Sequence, residues 1–336
     1  MNRESKVAPI VWDTQLQLLD QRLLPHTETY LDIGTVEEAG RAIADLVVRG
    51  APAIGITAAY GVVLACRQYP DMNMRMQALD ALADARPTAV NLRWAVERMR
   101  SILLDGADDA QLEAEAKAIH EADIKANLTM GELGAQLIHP GSSVLTHCNT
   151  GSLATGGYGT ALGVIRSAYA LGRLTDVYAG ETRPWLQGAR LTAWELQKDG
   201  IPVHLVIEGA VASLFAAGKA KWLIVGADRV VANGDTANKI GTLSAAVHAK
   251  RNGAQVMVVI PTTTLDLGLE SGDQIPIEER GSSEILSLGG NRVAADGAGA
   301  WNPVFNITPA ELIDCIVTEK GVARPPFKES LAALKQ

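Results

Sequence analysis

The second half of this sequence alternates short apolar segments with longer stretches that suit helices, and this alternation constrains the fold more than any other feature. The apolar segments lie at 143–148, 176–180, 203–207, 222–227 and 255–260. Stretches rich in Ala and Leu separate them. Strands and helices in such alternation form βαβ units, in which the strands pair in parallel and helices cover the sheet. We therefore predict an α/β fold built on a parallel sheet.

The pattern before residue 130 is different. Short apolar stretches between Val7 and Ile33 predict strand–turn–strand, and the apolar spacing from 36 to 69 predicts helices that are interrupted near Gly50 and Pro52. Further helices are predicted at 89–104 and 110–137. With 336 residues, the chain is long enough for about two domains. We predict a smaller, mainly helical domain with short strands at 1–130 and a sheet domain at 131–336, with a loop or lid at 265–305.

Charge and composition exclude several classes of protein. Thirty Lys and Arg against 38 Asp and Glu give a net charge of −8, which argues against a nucleic-acid partner. No apolar run approaches the roughly 20 residues that span a bilayer, so no membrane partner is expected. The start lacks a secretion signal, and we expect a cytoplasmic protein. Three cysteines without a CxxC pair indicate neither a disulfide framework nor a structural zinc site.

Polar or reactive residues follow four of the predicted strands. In an open parallel sheet, ligands bind beyond the carboxyl ends of the strands. Cys148 ends the first strand and Asp228 the fourth, while Glu181 with Arg183, and Glu208, follow the second and third. A thiol at a strand end could act as a base, nucleophile or polar catalyst, although a lone Cys is more often a small buried side chain. Asp228 could donate a proton, or it could merely cap a turn or pair with a neighbour.

Three basic residues are candidates for binding an anion. Arg49 precedes Gly50, Arg86 precedes a proline, and Lys239 follows a loop that contains Gly and Asn. Each could hold a phosphate with help from backbone N–H groups. Taken singly, each is more often a solvated surface charge.

The sequence lacks the motifs of several well-defined kinds of active site. The sequence contains no GxGxxG, GxxxxGK[ST], GxSxG or HExxH pattern. The six histidines are scattered, and His147 is expected on the strand face opposite Cys148, so no metal site is predicted. An enzyme without a cofactor is the simplest remaining enzymatic interpretation.

Five ordered segments together resemble the methylthioribose-1-phosphate isomerase family. They are RGAPAIG at 49–55, ARPTAVNL at 85–92, THCN at 146–149 with AT at 154–155 and YGTA at 158–161, ETRP at 181–184 with QGARLT at 187–192, and GADR at 226–229 with NGDTANKIG at 233–241. The resemblance runs from Trp12 to about Gly321. The same superfamily includes ribose-1,5-bisphosphate isomerases and regulatory subunits of the eukaryotic translation-initiation exchange factor.

The resemblance implies a fold, an activity and a site. It implies a Rossmann-like C-terminal domain, a small N-terminal domain and a homodimer. It assigns Cys148 as the catalytic cysteine and Asp228 as the proton donor. The substrate-binding positions that it carries over are Arg49, Gly50, Ala51, Arg86, Gln187, Asn238 and Lys239.

The family's reaction converts 5-methylthioribose 1-phosphate to 5-methylthioribulose 1-phosphate in methionine salvage. Our mechanistic hypothesis places Asp228 in an apolar pocket, from which it protonates the ring oxygen, and Cys148 beside C2. One alternative is an isomerase of ribose 1,5-bisphosphate or a deoxy analogue. The other is a non-catalytic regulatory subunit, which would have no need of Cys148 and Asp228 together.

Overall fold

The computed structural model describes residues 5–86 and 89–335, which form two compact units. One unit contains the described residues up to Leu128 together with Thr150–Gly159, and the other contains Thr129–Asn149 and the described residues from Thr160 onward. The division into domains at residue 130 stays a prediction. The structure adds that the segment 150–159 belongs with the N-terminal unit.

The N-terminal unit is mainly helical and includes a small antiparallel sheet. In this sheet Leu18 lies between Ile10 and Leu31 on the neighbouring strands. Its strands are β1 (Ile10–Trp12), β2 (Leu16–Leu19) and β3 (Tyr30–Ile33), and its helices are α1 (Val36–Ala44), α2 (Ala51–Gln68), α3 (Met72–Ala83), α4 (Val90–Leu104) and the first part of α5 (Asp109–Leu137).

Local sequence explains where two of these helices begin. Thr35 and Glu38 form a reciprocal capping box at the start of α1. Gly50 precedes α2, and Pro52 lies in its first turn, where a missing N–H costs nothing. The predicted interruption near Gly50 and Pro52 is therefore the start of α2.

The second unit is built on a seven-stranded sheet in the described part of the chain. Its strand order is β16-β15-β10-β7-β4-β5-β6, and every neighbouring pair is parallel except β15 with β16. The strands are β4 (Ser142–Thr146), β5 (Leu174–Gly180), β6 (His204–Val206), β7 (Trp222–Val225), β10 (Gln255–Val259), β15 (Cys315–Thr318) and β16 (Gly321–Ala323). The α/β fold class with a Rossmann-like parallel sheet is confirmed.

Helices follow several of these strands, as βαβ units require. Apolar side chains of α8, α9 and α11, with those of the central strands, form one buried cluster. The helices of this unit are α6 (Ala161–Ala170), α7 (Ala193–Lys198), α8 (Val211–Ala216), α9 (Thr242–Arg251), α10 (Ser283–Leu286) and α11 (Phe327–Leu334).

A second, smaller sheet in this unit was not predicted. Its order is β11-β8-β9-β14, and β9 pairs antiparallel with β14, so that Lys239 lies opposite Phe305. Its strands are β8 (Arg229–Val231), β9 (Thr236–Lys239), β11 (Leu265–Asp266) and β14 (Phe305–Thr308), and a hairpin of β12 (Ser287–Leu288) and β13 (Asn291–Arg292) lies within the predicted loop at 265–305. No helix among residues 5–86 and 89–335 has the length and apolarity to cross a bilayer.

Candidate active site

The order of strands in the large sheet reverses at β4. The chain passes from β4 to β5 and β6 on one side, and then returns to β7, β10 and β15 on the other side. β4 and β7 are parallel neighbours, with Val144 opposite Trp222 and Leu145 opposite Leu223. In an open α/β sheet, the crevice beyond the carboxyl ends at such a reversal is where ligands bind.

Cys148 and Asp228 leave the sheet from these two neighbouring strands. Cys148 follows the end of β4 as a free, buried thiol with 6% exposure, and its backbone φ is +62°. Asp228 lies between β7 and β8, and its N–H donates to the carbonyl of Ala237 at 3.0 Å. The topology therefore places the thiol and the carboxyl at the same edge of the sheet.

One detail of the mechanistic hypothesis is wrong. An apolar pocket was expected around Asp228, but the residue is exposed. Asp228 lies in the short connection from β7 to β8, the first strand of the small sheet.

Asn238 and Lys239 lie at the end of β9 and are both buried. The Nδ2 of Asn238 donates to the Oγ1 of Thr242 at 3.0 Å. The Nζ of Lys239 lies 4.4 Å from the centre of the Phe305 ring, which is favourable for a cation. Its position in the sequence alone would suggest a solvated surface charge, but Lys239 is buried.

Gln187 precedes a π-helical turn at Gly188–Thr192. A Cβ on Gly188 would lie 1.7 Å from the carbonyl oxygen of Gly180, so only glycine brings this turn so close to the end of β5. The Oε1 of Gln187 is buried and has no hydrogen-bond partner among the described residues. An unpaired buried acceptor is costly, and it is available to a donor on a ligand.

The other predicted substrate-binding residues belong to the N-terminal unit. Arg49, Gly50 and Ala51 form the half-buried start of α2, and Arg86 is half-buried just before residues 87 and 88, which lie outside the described residues. Gly50 has a φ of +95°, and a Cβ there would lie 2.4 Å from the carbonyl oxygen of Ala154. The start of α2 therefore contacts the segment 150–159, which follows Cys148 and Asn149 directly in the chain.

Helix α5 holds the same segment with polar side chains. The Oδ2 of Asp123 accepts from the Gly156 N–H at 2.7 Å, and the Nε2–H of His120 donates to the Gly156 carbonyl at 2.9 Å. Asn127 donates to the carbonyl of Gly157 at 3.1 Å. These side chains project from one face of α5, so they fix the backbone of a loop that contains no regular helix or strand of its own beyond one short turn.

Residues 47–325 match the initiation factor 2 subunit family, which covers well over half of the chain. This chain belongs to that family. It is 61% identical to the methylthioribose-1-phosphate isomerase of Thioalkalivibrio sulfidiphilus, an alignment that covers 98% of this chain and 97% of that protein.

Two solved structures are also similar to this chain. The 5-methylthioribose 1-phosphate isomerase of Pyrococcus horikoshii OT3 is 40% identical, has a TM-score of 0.95, and aligns over 99% of this chain and 97% of its own. The translation initiation factor eIF-2B subunit delta of A. fulgidus is 39% identical, has a TM-score of 0.90, and aligns over 98% and 99%. The family thus contains proteins named for two different roles on one fold.

In this member of the initiation factor 2 subunit family, a cleft of about 410 Å³ lies beside Ile240 and Gly241, directly after Lys239. Glu181, Arg183 and Glu208 line it, and all three were singled out as residues that follow strands. Burial raises the pKa of Glu181, and the nearby Glu208 carboxylate raises it further. The Glu181 carboxyl therefore keeps its proton to a higher pH than an exposed glutamate would, although Arg183 opposes this shift.

The sequence analysis did not single out three residues that bind Cys148 or Asn149. Thr182 and Thr192 bond to the backbone of Cys148, and Glu195 binds the side chain of Asn149. Thr and Glu side chains on their own carry no signal for such a role, although 181–192 falls within the segments that carry the family resemblance.

Proposed function

We propose that this chain isomerises 5-methylthioribose 1-phosphate to 5-methylthioribulose 1-phosphate, an aldose–ketose isomerisation of methionine salvage. The names of relatives over nearly the full length support it. The observation that carries it is topological: Cys148 and Asp228 follow neighbouring parallel strands at the reversal of strand order. A regulatory protein would not need a thiol and a carboxyl together at that edge.

The reaction needs an acid because the phosphate occupies the anomeric oxygen. The ring cannot open through an ordinary hemiacetal equilibrium, so the bond between C1 and the ring oxygen must break as that oxygen gains a proton. One hydrogen moves from C2 to C1, and the C2 hydroxyl loses its proton as C2 becomes the ketone. We assign Asp228 as the proton donor to the ring oxygen. Cys148, beside C2, acts as the base or stabilises the transition state. Solvent deuterium at C1 after reaction in heavy water would indicate a proton route, and full retention of the substrate hydrogen would indicate hydride transfer.

We assign substrate binding to the residues that the family resemblance carries over. Lys239 supplies a buried cation, and Asn238 and Gln187 supply amides. A buried cation beside an anion forms stronger, charge-assisted hydrogen bonds than an exposed one. The remaining proposed contacts are Arg49, Gly50, Ala51 and Arg86.

The test is turnover of methylthioribose 1-phosphate by the purified protein without added cofactor or metal, which we expect to be insensitive to a chelator. Cys148→Ala should lower kcat by roughly a thousandfold or more, the scale seen when a catalytic nucleophile or base is removed. Cys66→Ala is the matched control, because Cys66 is also a buried free thiol but lies within α2. Equal activity in the two variants would contradict the role of Cys148.

Substrate comparison separates this proposal from its alternatives. Faster turnover of ribose 1,5-bisphosphate than of the methylthio sugar would identify the sibling isomerase, since a second phosphate and a methylthio group need opposite surroundings. No turnover of either sugar would favour the alternative of a non-catalytic regulatory subunit, and the A. fulgidus protein is named as a subunit of a translation initiation factor.

We also propose a homodimer that acts in the cytoplasm. The family resemblance supports the dimer. Three free thiols and no disulfide among the described residues are typical of a reducing compartment.

A further inference from the structure

The backbone of Cys148 is held in an unfavourable conformation. Its φ of +62° lies in the left-handed region, which residues other than glycine rarely adopt. Such a conformation persists only where surrounding contacts determine it, and it is concentrated at functional sites. The contacts that hold Cys148 therefore bear on where its thiol points.

Two threonine hydroxyls bind the two backbone polar groups of Cys148. The Cys148 N–H donates to the Oγ1 of Thr182 at 2.9 Å, and that hydroxyl in turn donates to the carbonyl of Gly180 at 3.0 Å. On the other side, the Oγ1 of Thr192 donates to the Cys148 carbonyl at 2.6 Å. Both threonines are fully buried, so water does not compete for these bonds. We call Thr182 and Thr192 the hydroxyl clamp.

A buried ionic network fixes one half of the clamp. The Nδ2 of Asn149 donates to the Oγ1 of Thr192 at 3.2 Å and to the Oε1 of Glu195 at 2.7 Å. The other oxygen of Glu195 accepts from Arg166 at 2.7 Å, and Arg166 also binds Asp199. Glu195 has no exposed surface, and Arg166 is 5% exposed. Removing one partner of an ion pair buried this deeply is strongly destabilising, so these side chains stay paired in the folded protein.

We propose that Thr182 and Thr192 are positioning residues for Cys148, which clamp its strained backbone so that the thiol faces the substrate, with Asn149, Glu195 and Arg166 fixing Thr192 from behind. The proposal rests on the proposed isomerase function only for its kinetic consequence. The orientation and reactivity of the thiol are properties of the protein alone. The clamp acts through Cys148 and has no contact with the sugar.

The test removes each hydroxyl with little change in shape. Thr192→Val and Thr182→Val should each lower kcat roughly 10- to 100-fold, the loss expected when a reacting group is displaced by about 1 Å, while KM changes little. Thr192→Ser and Thr182→Ser keep the hydroxyl and should restore kcat to near the wild-type value. The alkylation rate of Cys148 by iodoacetamide, followed by mass spectrometry of its peptide, should change several-fold in the valine variants only.

Thr318→Val is the matched control. Thr318 is fully buried in β15, its hydroxyl donates to the Gly321 carbonyl, and it accepts from the Lys320 N–H. Strands β10 and β7 separate it from β4. This variant loses a comparable pair of hydrogen bonds and should keep the wild-type kcat and alkylation rate at a similar melting temperature.

Wild-type kcat and alkylation rate in the folded valine variants would overturn the proposal. If one valine variant does not fold, the other still tests it, because each removes a different bond to Cys148. If the wild-type protein does not turn over the sugar, the proposed function fails while the alkylation rates still decide the role of the clamp.

Discussion

His147, next to Cys148, connects two parts of the candidate site through one buried ring. Its Nε2–H donates to the carbonyl of Ile240 at 2.7 Å, and its Nδ1 lies 3.9 Å from the Oε1 of Glu208. A Cβ on Gly241 would lie 2.8 Å from the same ring. Burial, assisted by the nearby charge of Lys239, lowers the pKa of His147 from 6.5 to about 4. The ring is therefore neutral in the folded protein at neutral pH.

This depressed pKa predicts a loss of stability in mild acid. Between about pH 6.5 and pH 4 the unfolded chain binds a proton at His147 that the folded chain does not, so the free energy of unfolding falls as the pH falls. At roughly 1.4 kcal/mol per pKa unit, the full loss is about 3 kcal/mol. Urea unfolding from pH 4.5 to 7.5 should show a flatter profile for His147→Gln, whose amide can donate to Ile240 but does not titrate.

The exposed His204 provides the control for this prediction. His204→Gln should keep the wild-type dependence of stability on pH. A His147→Gln profile as steep as that of the wild type would contradict the prediction.

Residue types and predicted strand ends were enough to single out Cys148 and Asp228. The residues that follow parallel strands in the sequence lie at the same edge of the sheet, so this edge can be predicted from the order of the chain. The burial of Lys239 was not predictable in this way. It depends on pairing with Phe305, 66 residues later, in a small sheet whose strands have two to four residues. The contact of His147 with Ile240 likewise joins residues 93 positions apart and leaves no local signal.

At the level of elements, the start of α2 is determined by one close contact. Gly50 combines a φ of +95° with an approach to the carbonyl oxygen of Ala154 that leaves no room for a side chain. Gly106, after α4, has nearly the same φ of +92° but nothing within 4 Å of an added Cβ. Comparing a substitution at each glycine therefore distinguishes the cost of backbone strain from the cost of the close contact.

Gly106→Ala should cost about 1 kcal/mol through backbone strain alone. Gly50→Ala should cost about 2 to 4 kcal/mol, because overpacking adds to the same strain. The free energy of unfolding in urea measures both. Equal losses in the two variants would show that the contact between α2 and the segment 150–159 does not constrain the fold.

The interruption between α1 and α2 and the parallel strands were predictable from Gly, Pro and apolar spacing. Helix α3 was missed, because Met72–Ala83 has no clear apolar face and buries only Leu79, Leu82 and Ala83. The small sheet was missed because polar residues such as Asn238 and Lys239 occupy its strands. Such strands are stabilised by their neighbours rather than by their own sequence.

At the scale of the whole molecule, the sequence predicted a helical part followed by a sheet part, and the sheet part is confirmed. The membership of the segment 150–159 in the N-terminal unit could not be predicted from the sequence. It depends on Gly50, just before α2, and on three side chains of α5, those of His120, Asp123 and Asn127. Sequence order alone would have assigned this segment to the sheet.

The proposed dimer predicts a mass of twice 35.6 kDa in solution. Light scattering with size-exclusion chromatography, at several protein concentrations, measures it directly. A mass of 35.6 kDa at every concentration would contradict the dimer, and a larger assembly would replace it with a higher oligomer.

The separation of the buried strand core from the polar strand ends has a consequence for how this fold evolves. Leu145 and Leu223 pair inside the sheet without exposed surface, whereas Asp228 lies beyond the last residue of its strand. Substitutions at the rim can abolish or redirect chemistry while the interior continues to fold unchanged. Proteins that share such a fold can therefore diverge into a sugar-converting enzyme and a component of the protein-synthesis apparatus while their structures remain superimposable. A similar fold is evidence of common descent, and it does not by itself identify the function.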